Sequence, residues 1–222
     1  MPPVLSLLET RVLGVLVEKE RTVPDSYPLT LNALVSGCNQ KTSRDPIVSA
    51  TESEVQGAID SLKGSNFVIE SSGGRVSRYT HNCERVLHVP RQAAAILAVL
   101  MLRGPQTAGE LRLNCERLHP FADISSVEAF LHELAERPAG ALVVELPRQP
   151  GSRENRWAHL LSGPPDLPVS TAASGAARPE APALAVSEIA AVKANVARLE
   201  ADVAELKSVV ARLCSELGVK RE

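Results

Sequence analysis

A short pattern occurs twice in this sequence. Its first copy reads Pro28-Leu-Thr-Leu-Asn-Ala-Leu-Val-Ser-Gly-Cys38, and the second, 77 residues further on, reads Pro105-Gln-Thr-Ala-Gly-Glu-Leu-Arg-Leu-Asn-Cys115. A proline, a threonine, a leucine and a cysteine coincide between the two copies. Four identities are weak evidence alone, so the case for an internal repeat rests on the elements that surround each copy.

Two helices are predicted in the same order at each copy. An apolar-periodic segment precedes the pattern, over residues 5–16 in the first half of the chain and 94–102 in the second. The pattern itself predicts a second, short helix that begins after a capping threonine, Thr30 or Thr107.

A third helix follows in both halves. Its cap is predicted at Thr51 or Ser53 in the first half, and at Ser125 or Ser126 in the second. Its apolar positions are Val55, Ile59, Leu62, Val127, Phe130, Leu131 and Leu134.

A β-hairpin is predicted to close each half, because apolar, β-branched segments flank a glycine-containing turn. The predicted strands are residues 67–70 and 75–80 in the first half, and 141–146 and 155–160 in the second. Three helices followed by a two-stranded hairpin are typical of a winged helix. We therefore predict an α+β fold, mainly α with small β-hairpins, in which two winged-helix domains occupy residues 1–82 and 83–162.

The segment after the second domain has the composition of a linker. Residues 163–185 are rich in proline and alanine, with little apolar bulk to bury. We expect this segment to be flexible. Five of its prolines are Pro164, Pro165, Pro168, Pro179 and Pro182.

A heptad seam follows the linker and predicts a coiled-coil helix over residues 186–218. Apolar side chains alternate at spacings of three and four, with mainly β-branched residues at the a positions and valine or leucine at d, a combination that favours a parallel dimer. The alternative is one amphipathic helix packed on its own domain. The predicted dimerisation residues are Ile189, Val192, Val196, Leu199, Val203, Leu206, Val210, Leu213 and Leu217.

The composition and the lengths of the apolar runs limit the classes of protein to which the chain can belong. The hydrophobic share of 44% is enough for cores, and the longest apolar run, residues 93–102, is too short for a membrane span. The first residues lack the basic start of a secretory signal, and the four cysteines contain no C-x-x-C pair. We therefore expect a cytoplasmic protein with reduced thiols.

One stretch resembles a known family. Residues 18–34 read Glu-Lys-Glu-Arg-Thr-Val-Pro-Asp-Ser-Tyr-Pro-Leu-Thr-Leu-Asn-Ala-Leu, and residues 38–46 read Cys-Asn-Gln-Lys-Thr-Ser-Arg-Asp-Pro. The sequence resembles the bacterial YceH-like family over residues 7–62, and the order of predicted elements remains similar to about residue 161. The resemblance implies a cytoplasmic pair of winged helices of uncharacterised role, so no site residue is transferred from it.

Charge is the first test of DNA binding, the function that winged helices commonly perform. Residues 1–82 hold 8 basic and 9 acidic side chains, and residues 83–162 hold 9 of each. Neither half has the positive field that supplies non-specific affinity for DNA. The predicted third helices also offer acidic side chains to solvent, such as Glu54 and Glu128.

Local basic groups nevertheless favour DNA binding narrowly as the predicted function. The best is the loop before the third helix of the first half, although an ordinary capped surface loop has the same composition. The arginines of the two hairpins are the next group, although solvated strand faces also carry arginines. The candidate nucleic-acid-binding residues are Asn39, Gln40, Lys41, Thr42, Ser43, Arg44, Arg75, Arg78, Arg148, Arg153 and Arg156.

A protein-interaction module without nucleic-acid contact is the alternative, and near-neutral charge fits it well. An enzyme is the weakest hypothesis, because no nucleophile elbow, phosphate loop or H-E-x-x-H motif occurs. His81, Cys83 and His88 lack a second paired cluster that would complete a zinc site. We therefore predict no cofactor, no metal and no catalytic residues, and the expected partners are a second copy of the chain with either duplex DNA or a protein.

Overall fold

The computed structural model describes residues 4–71, 76–148 and 152–165. Within these residues the chain has a mixed α+β fold with seven α-helices and two small antiparallel sheets. The helices are α1 (Leu7–Thr22), α2 (Leu31–Cys38), α3 (Glu52–Gly64), α4 (Cys83–Leu87), α5 (Arg91–Arg103), α6 (Ala108–Cys115) and α7 (Ile124–Ala135). The strands are β1 (Leu29–Thr30), β2 (Val68–Ser71), β3 (Arg78–His81), β4 (Val143–Glu145) and β5 (Trp157–His159).

The order of these elements repeats, with the short α4 as the connection. Helices α1, α2 and α3 precede the β2–β3 hairpin, and α5, α6 and α7 precede the β4–β5 hairpin. The first sheet has the order β1-β3-β2, in which Leu29 pairs with Tyr79. In the second half Gln106 pairs with Trp157 in the same way, as an isolated bridge. Both halves therefore place an aromatic residue of the last strand against the segment before the second helix.

Three positions of the internal pattern have matching roles in the two halves. Thr30 and Thr107 are the N-caps of α2 and α6, and each threonine hydroxyl accepts a hydrogen bond from the third residue beyond it. The coincident leucines, Leu34 and Leu111, are completely buried, as are the two coincident cysteines. The repeat that the sequence predicted is confirmed at these positions.

The third helices begin at different kinds of cap. Thr51 starts α3 with a capping box: its hydroxyl accepts from the backbone N–H of Glu54, and the Glu54 carboxylate accepts from the backbone N–H of Thr51 at 2.7 Å. The cap of α7 is Asp123, whose carboxylate accepts from the backbone N–H of Ser126 at 2.7 Å. The prediction of Ser125 or Ser126 as the cap of α7 was therefore wrong. Aspartate accepts this hydrogen bond as well as serine does, and its charge favours a helix N-terminus.

The two halves pack together through α1 and α5. Every residue of α5 between Ala93 and Leu102 is buried, so this helix has no solvent-facing stripe. The helices approach closely at Gly14, where a β-carbon would lie 2.9 Å from the Cγ of Leu102. The buried residues of both halves consequently form one hydrophobic core.

Some predictions concern residues that the structure does not describe. The predicted linker from residue 166 onward and the heptad seam lie outside the described residues, as does Arg75. Within the described ranges, no helix is both long and apolar enough to span a membrane.

Candidate functional site

The loop that follows α2, residues 39–46, contains the first group of predicted site residues. Arg44 is its most deeply buried member, with a side chain that has no solvent exposure. Its Nη1 and Nη2 atoms donate to the two carboxylate oxygens of Glu18 at 3.1 and 2.6 Å. Arg44 therefore holds the loop from inside the protein, and its predicted role in binding nucleic acid stays a prediction.

Two arginines satisfy the backbone carbonyls at the end of α2. Arg44 donates from Nε to the carbonyl of Gly37 at 3.2 Å. Arg11, which is completely buried, donates to the carbonyls of Cys38 at 3.4 Å and Pro46 at 2.6 Å. Burial lowers the pKa of Arg11, and the neighbouring Arg44 charge lowers it further. Because the last carbonyls of a helix lack partners within the helix, these guanidinium groups act as its C-terminal cap.

Other polar side chains of the loop also bind inside the molecule. Asn39 exchanges two hydrogen bonds of 2.8 Å with the backbone of Ala50. Gln40 donates to the carbonyl and the hydroxyl of Thr42. Ser43 has a left-handed backbone, with φ of 59°, and its hydroxyl accepts from Arg103 at 2.7 Å. These contacts hold the loop in one conformation.

The exposed residues of the loop are Lys41, Thr42, Asp45 and Pro46. Within the described part of the chain, Lys41 forms no salt bridge within 4.0 Å. Of the six loop residues that the sequence proposed, Lys41 and Thr42 retain side chains exposed to a macromolecular partner. The other four mainly position the loop.

The arginines of the hairpins have different surroundings. Arg78 is exposed and donates to the carbonyl of Pro28 at 2.7 Å. Arg148 and Arg153 are exposed at the second hairpin. Arg156 pairs with Glu110 at 3.4 Å.

A cleft lies between the two repeats and unites the loop with part of the second hairpin. We call this cleft of about 380 Å³ the inter-repeat cleft. It brings Arg156 to the same surface as the loop, whereas the sequence suggested no relation between them. The lining residues are Ser43, Arg44, Asp45, Arg103, Pro105, Gln106, Glu110, Asn114 and Arg156.

The sequence analysis predicted three of the lining residues, Ser43, Arg44 and Arg156, and missed the others, among them Arg103 and Gln106. Arg103 is half-buried at the end of α5, and Gln106 is 6% exposed. The Oε1 atom of Gln106 accepts from Asn114 at 2.6 Å, and its Nε2 donates to the carbonyl of Gly104 at 3.3 Å. The one available signal was a charged residue ending an apolar helix.

A second depression, of about 340 Å³, lies between α7 and the β4–β5 hairpin, and we call it the hairpin groove. Ala108, Ile124 and Trp157 supply its apolar side chains. Three glutamates, two arginines and an asparagine complete the lining: Glu128, Glu145, Glu154, Arg148, Arg153 and Asn155.

The outward faces of the third helices are acidic. On α3 the exposed carboxylates belong to Glu52, Glu54 and Asp60. The single lysine of α3, Lys63, is paired with Glu70 of β2. The exposed carboxylates of α7 belong to Glu128 and Glu133, and α7 contains no lysine or arginine.

The cysteines of the described residues are buried and free. Burial raises the pKa of Cys38 to about 11 and the pKa values of Cys83 and Cys115 to about 12. Such thiols are weak nucleophiles because the reactive form is the thiolate. The fourth cysteine, Cys214, lies outside the described residues.

His81 contacts the backbone of Cys83 and the carboxylate of Glu20. The Nδ1 atom of His81 accepts from the backbone N–H of Cys83 at 3.4 Å, and its Nε2 lies 3.2 Å from a carboxylate oxygen of Glu20. Across the described ranges, no three His, Cys, Asp or Glu residues are grouped as a metal ion would require.

Comparisons with known proteins agree on one family. Residues 5–152 match the family described as "Protein of unknown function, DUF480". The chain is 69% identical to a UPF0502 protein of Dechloromonas aromatica over 77% of this chain and 80% of that protein. Identity is 65% to a Methylibium petroleiphilum UPF0502 protein, covering 86% and 81%. It is 58% to one of Burkholderia multivorans, covering 97% and 90%. The chain therefore belongs to the DUF480/UPF0502 family of uncharacterised bacterial proteins.

Proposed function

We propose that this chain is a non-enzymatic binding protein in which two winged helices engage a protein partner. The repeated order of three helices and a hairpin supports the tandem winged-helix architecture. The heptad seam at 189–217 supports a homodimer joined by a parallel coiled coil. The cytoplasmic location is proposed from the free thiols and the composition.

The acidic faces of α3 and α7 carry this proposal. A winged helix that reads DNA commonly places its third helix in the major groove, close to the phosphates of both strands. Here that helix would bring Glu52, Glu54 and Asp60, or Glu128 and Glu133, toward the phosphates. Because like charges repel and these side chains are hydrated, a duplex is a poor ligand for either helix. A protein surface that carries lysine or arginine is a better one.

The hairpin groove has the composition of a protein-binding surface. Its lining includes apolar side chains, of which Ile124 is 45% exposed, together with side chains of both charges. Protein interfaces commonly combine a small apolar centre with a polar rim. We therefore place the contact on α7 and the adjoining hairpin.

Site-specific crosslinking in the bacterium that encodes the protein tests whether a partner contacts α7. A photo-reactive residue would replace Ser125, which is exposed on α7, in the full-length chain. We expect one discrete protein adduct, and we expect it to disappear when Glu128→Lys and Glu133→Lys are added, because both charges that attract the partner are then reversed.

Two controls make the result specific. The same photo-reactive residue at Arg85, exposed on α4, should give no such adduct. The exposed Glu116→Lys change adds positive charge at the end of α6 and should leave the Ser125 adduct intact. An adduct that survives the double charge reversal would count against α7 as the docking helix.

DNA binding is a second candidate, favoured by the exposed cations. Lys41 lies in the loop before α3, and Arg148 and Arg153 lie beside the hairpin groove. Phosphate contacts by these side chains would weaken steeply as salt rises. Fluorescence anisotropy of a labelled random duplex over a salt series, with Lys41→Ala beside the wild type, tests this candidate. Binding that falls with both salt and the substitution would support it.

A further inference from the structure

The inter-repeat cleft offers a binding site that is separate from the proposed macromolecular surface. We propose that it binds a small organic acid, whose carboxylate pairs with the guanidinium group of Arg103. The inference does not depend on whether the partner of α7 is a protein or DNA.

Arg103 forms no ion pair within the described residues, although the carboxylate of Asp45 lines the same cleft. Arg44 is neutralised by Glu18 at 2.6 Å, and Arg156 by Glu110 at 3.4 Å. In the described part of the chain, no carboxylate oxygen lies within 4.0 Å of the Arg103 guanidinium, whose one side-chain hydrogen bond there goes to a neutral hydroxyl. A half-buried arginine with unused donors is well suited to bidentate binding of a carboxylate.

The walls of the cleft are fixed by contacts inside the protein. The hydroxyl of Ser43 holds the guanidinium of Arg103 from the first repeat. The buried Gln106 is oriented by Asn114 and by the carbonyl of Gly104 from the second repeat. A ligand would therefore meet a guanidinium that is already positioned beside a fixed wall, which reduces the entropic cost of binding.

Size and charge favour a monocarboxylate over phosphate. The volume of about 380 Å³ falls at the lower end of small-molecule sites, which span roughly 300 to 1,000 Å³. Asp45 and Glu110 both contribute to the lining. Two carboxylates repel a multiply charged anion more strongly than a singly charged one. Donors from Asn114 and Arg103 can serve a carboxylate and a neighbouring polar group.

A ligand titration that is monitored by protein NMR tests the site in the full-length chain. The probe is N-acetylglycine, and its neutral counterpart N-acetylglycinamide has the same shape without the charge. We expect N-acetylglycine to shift the Arg103 Nε–H signal and the neighbouring amides saturably, with a Kd of about 1 mM. We expect the amide and chloride at equal ionic strength to produce no saturable shift.

Variants show whether Arg103 is responsible. We expect Arg103→Gln to weaken binding at least tenfold, and Arg103→Lys, which keeps the charge but loses the planar fork, to weaken it less. Arg85→Gln removes an exposed arginine of α4 that does not line the cleft, and this variant should bind as the wild type does. The amide spectrum of each variant reports whether it remains folded.

Three results would overturn the proposal. The first is the absence of a saturable shift up to ~20 mM probe, well above the expected Kd. The second is equal binding by a folded Arg103→Gln variant. The third is tighter binding of inorganic phosphate than of N-acetylglycine, which would identify a phosphate site instead.

Discussion

Arg44 and Glu18 form a two-pronged ion pair that joins the loop after α2 to α1. The two nitrogen-to-oxygen distances are 3.1 and 2.6 Å, and the arginine side chain is completely buried. Burial raises the pKa of Glu18, but the hydrogen bonds and charge of Arg44 outweigh it, so the pKa lies below its usual range. The pair fixes the loop that the sequence predicted to bind nucleic acid.

Removing the charge of Glu18 should therefore destabilise the fold. We expect Glu18→Gln to lower the free energy of unfolding by about 3 kcal/mol, because it leaves a buried guanidinium without its counter-charge. Urea unfolding at neutral pH measures the loss. The exposed Glu128→Gln change in the middle of α7 serves as the control and should alter stability by less than about 0.5 kcal/mol. Equal stability of the two variants would show that the pair is not a significant support.

Two glycines in different helices should respond oppositely to alanine. A β-carbon on Gly37 would lie 2.6 Å from a methyl group of the buried Val15, whereas one on Gly57 would have no neighbour within 4 Å. We expect overpacking to outweigh helix propensity at Gly37, for a net loss of about 1 kcal/mol. Gly57→Ala should gain about 1 kcal/mol. Thermal unfolding of both variants tests the close packing of α1 on α2, and a stabilising Gly37→Ala would argue against it.

His159 should make stability depend on pH. Burial lowers the pKa of this histidine from 6.5 to about 4. His159 is therefore protonated below about pH 6.5 in the unfolded chain but only below about pH 4 in the folded chain. The free energy of unfolding therefore keeps the full contribution of neutral His159 above pH 6.5. It falls by up to about 3 kcal/mol as the pH drops toward 4.

Replacing the titrating group checks this assignment. We expect His159→Leu to reduce the loss of unfolding free energy between pH 7 and pH 4.5, because no imidazole remains to bind the proton. Urea titrations at the two pH values give the difference. Identical pH dependence in wild type and variant would assign the effect to other groups.

The heptad seam predicts that self-association depends on the C-terminal segment. We expect a chain truncated after Pro165 to sediment as a monomer while the full chain sediments as a dimer. Leu206→Lys at a d position should have a similar effect, and Ala204→Lys at a b position should not. A dimer that persists after truncation would place the interface in the two repeats.

Local patterns predicted most elements of this fold. Capping threonines, apolar spacing and the paired leucines at Leu34 and Leu111 all depend on neighbours within a few residues, and these predictions were confirmed. The cap of α7 was missed because aspartate and serine satisfy the same helix terminus.

The site was harder to predict because it depends on distant pairs. Arg44 meets Glu18 26 residues away, and Arg103 meets Ser43 60 residues away. A run of short polar side chains with two cations looks the same in sequence whether it faces solvent or folds inward. The sequence accordingly identified the loop but not which of its side chains are exposed, and it gave no reason to connect the loop with Arg156.

The central claim, that the third helices avoid DNA and meet a protein, is tested most directly by duplex binding at low salt. The full-length wild type and the Glu128→Lys/Glu133→Lys variant would be titrated against the same labelled random duplex. We predict negligible binding by the wild type and salt-sensitive binding by the variant, since reversing two charges on α7 removes repulsion and adds attraction to phosphate. Tight, salt-sensitive binding by the wild type that Lys41→Ala abolishes would contradict this account.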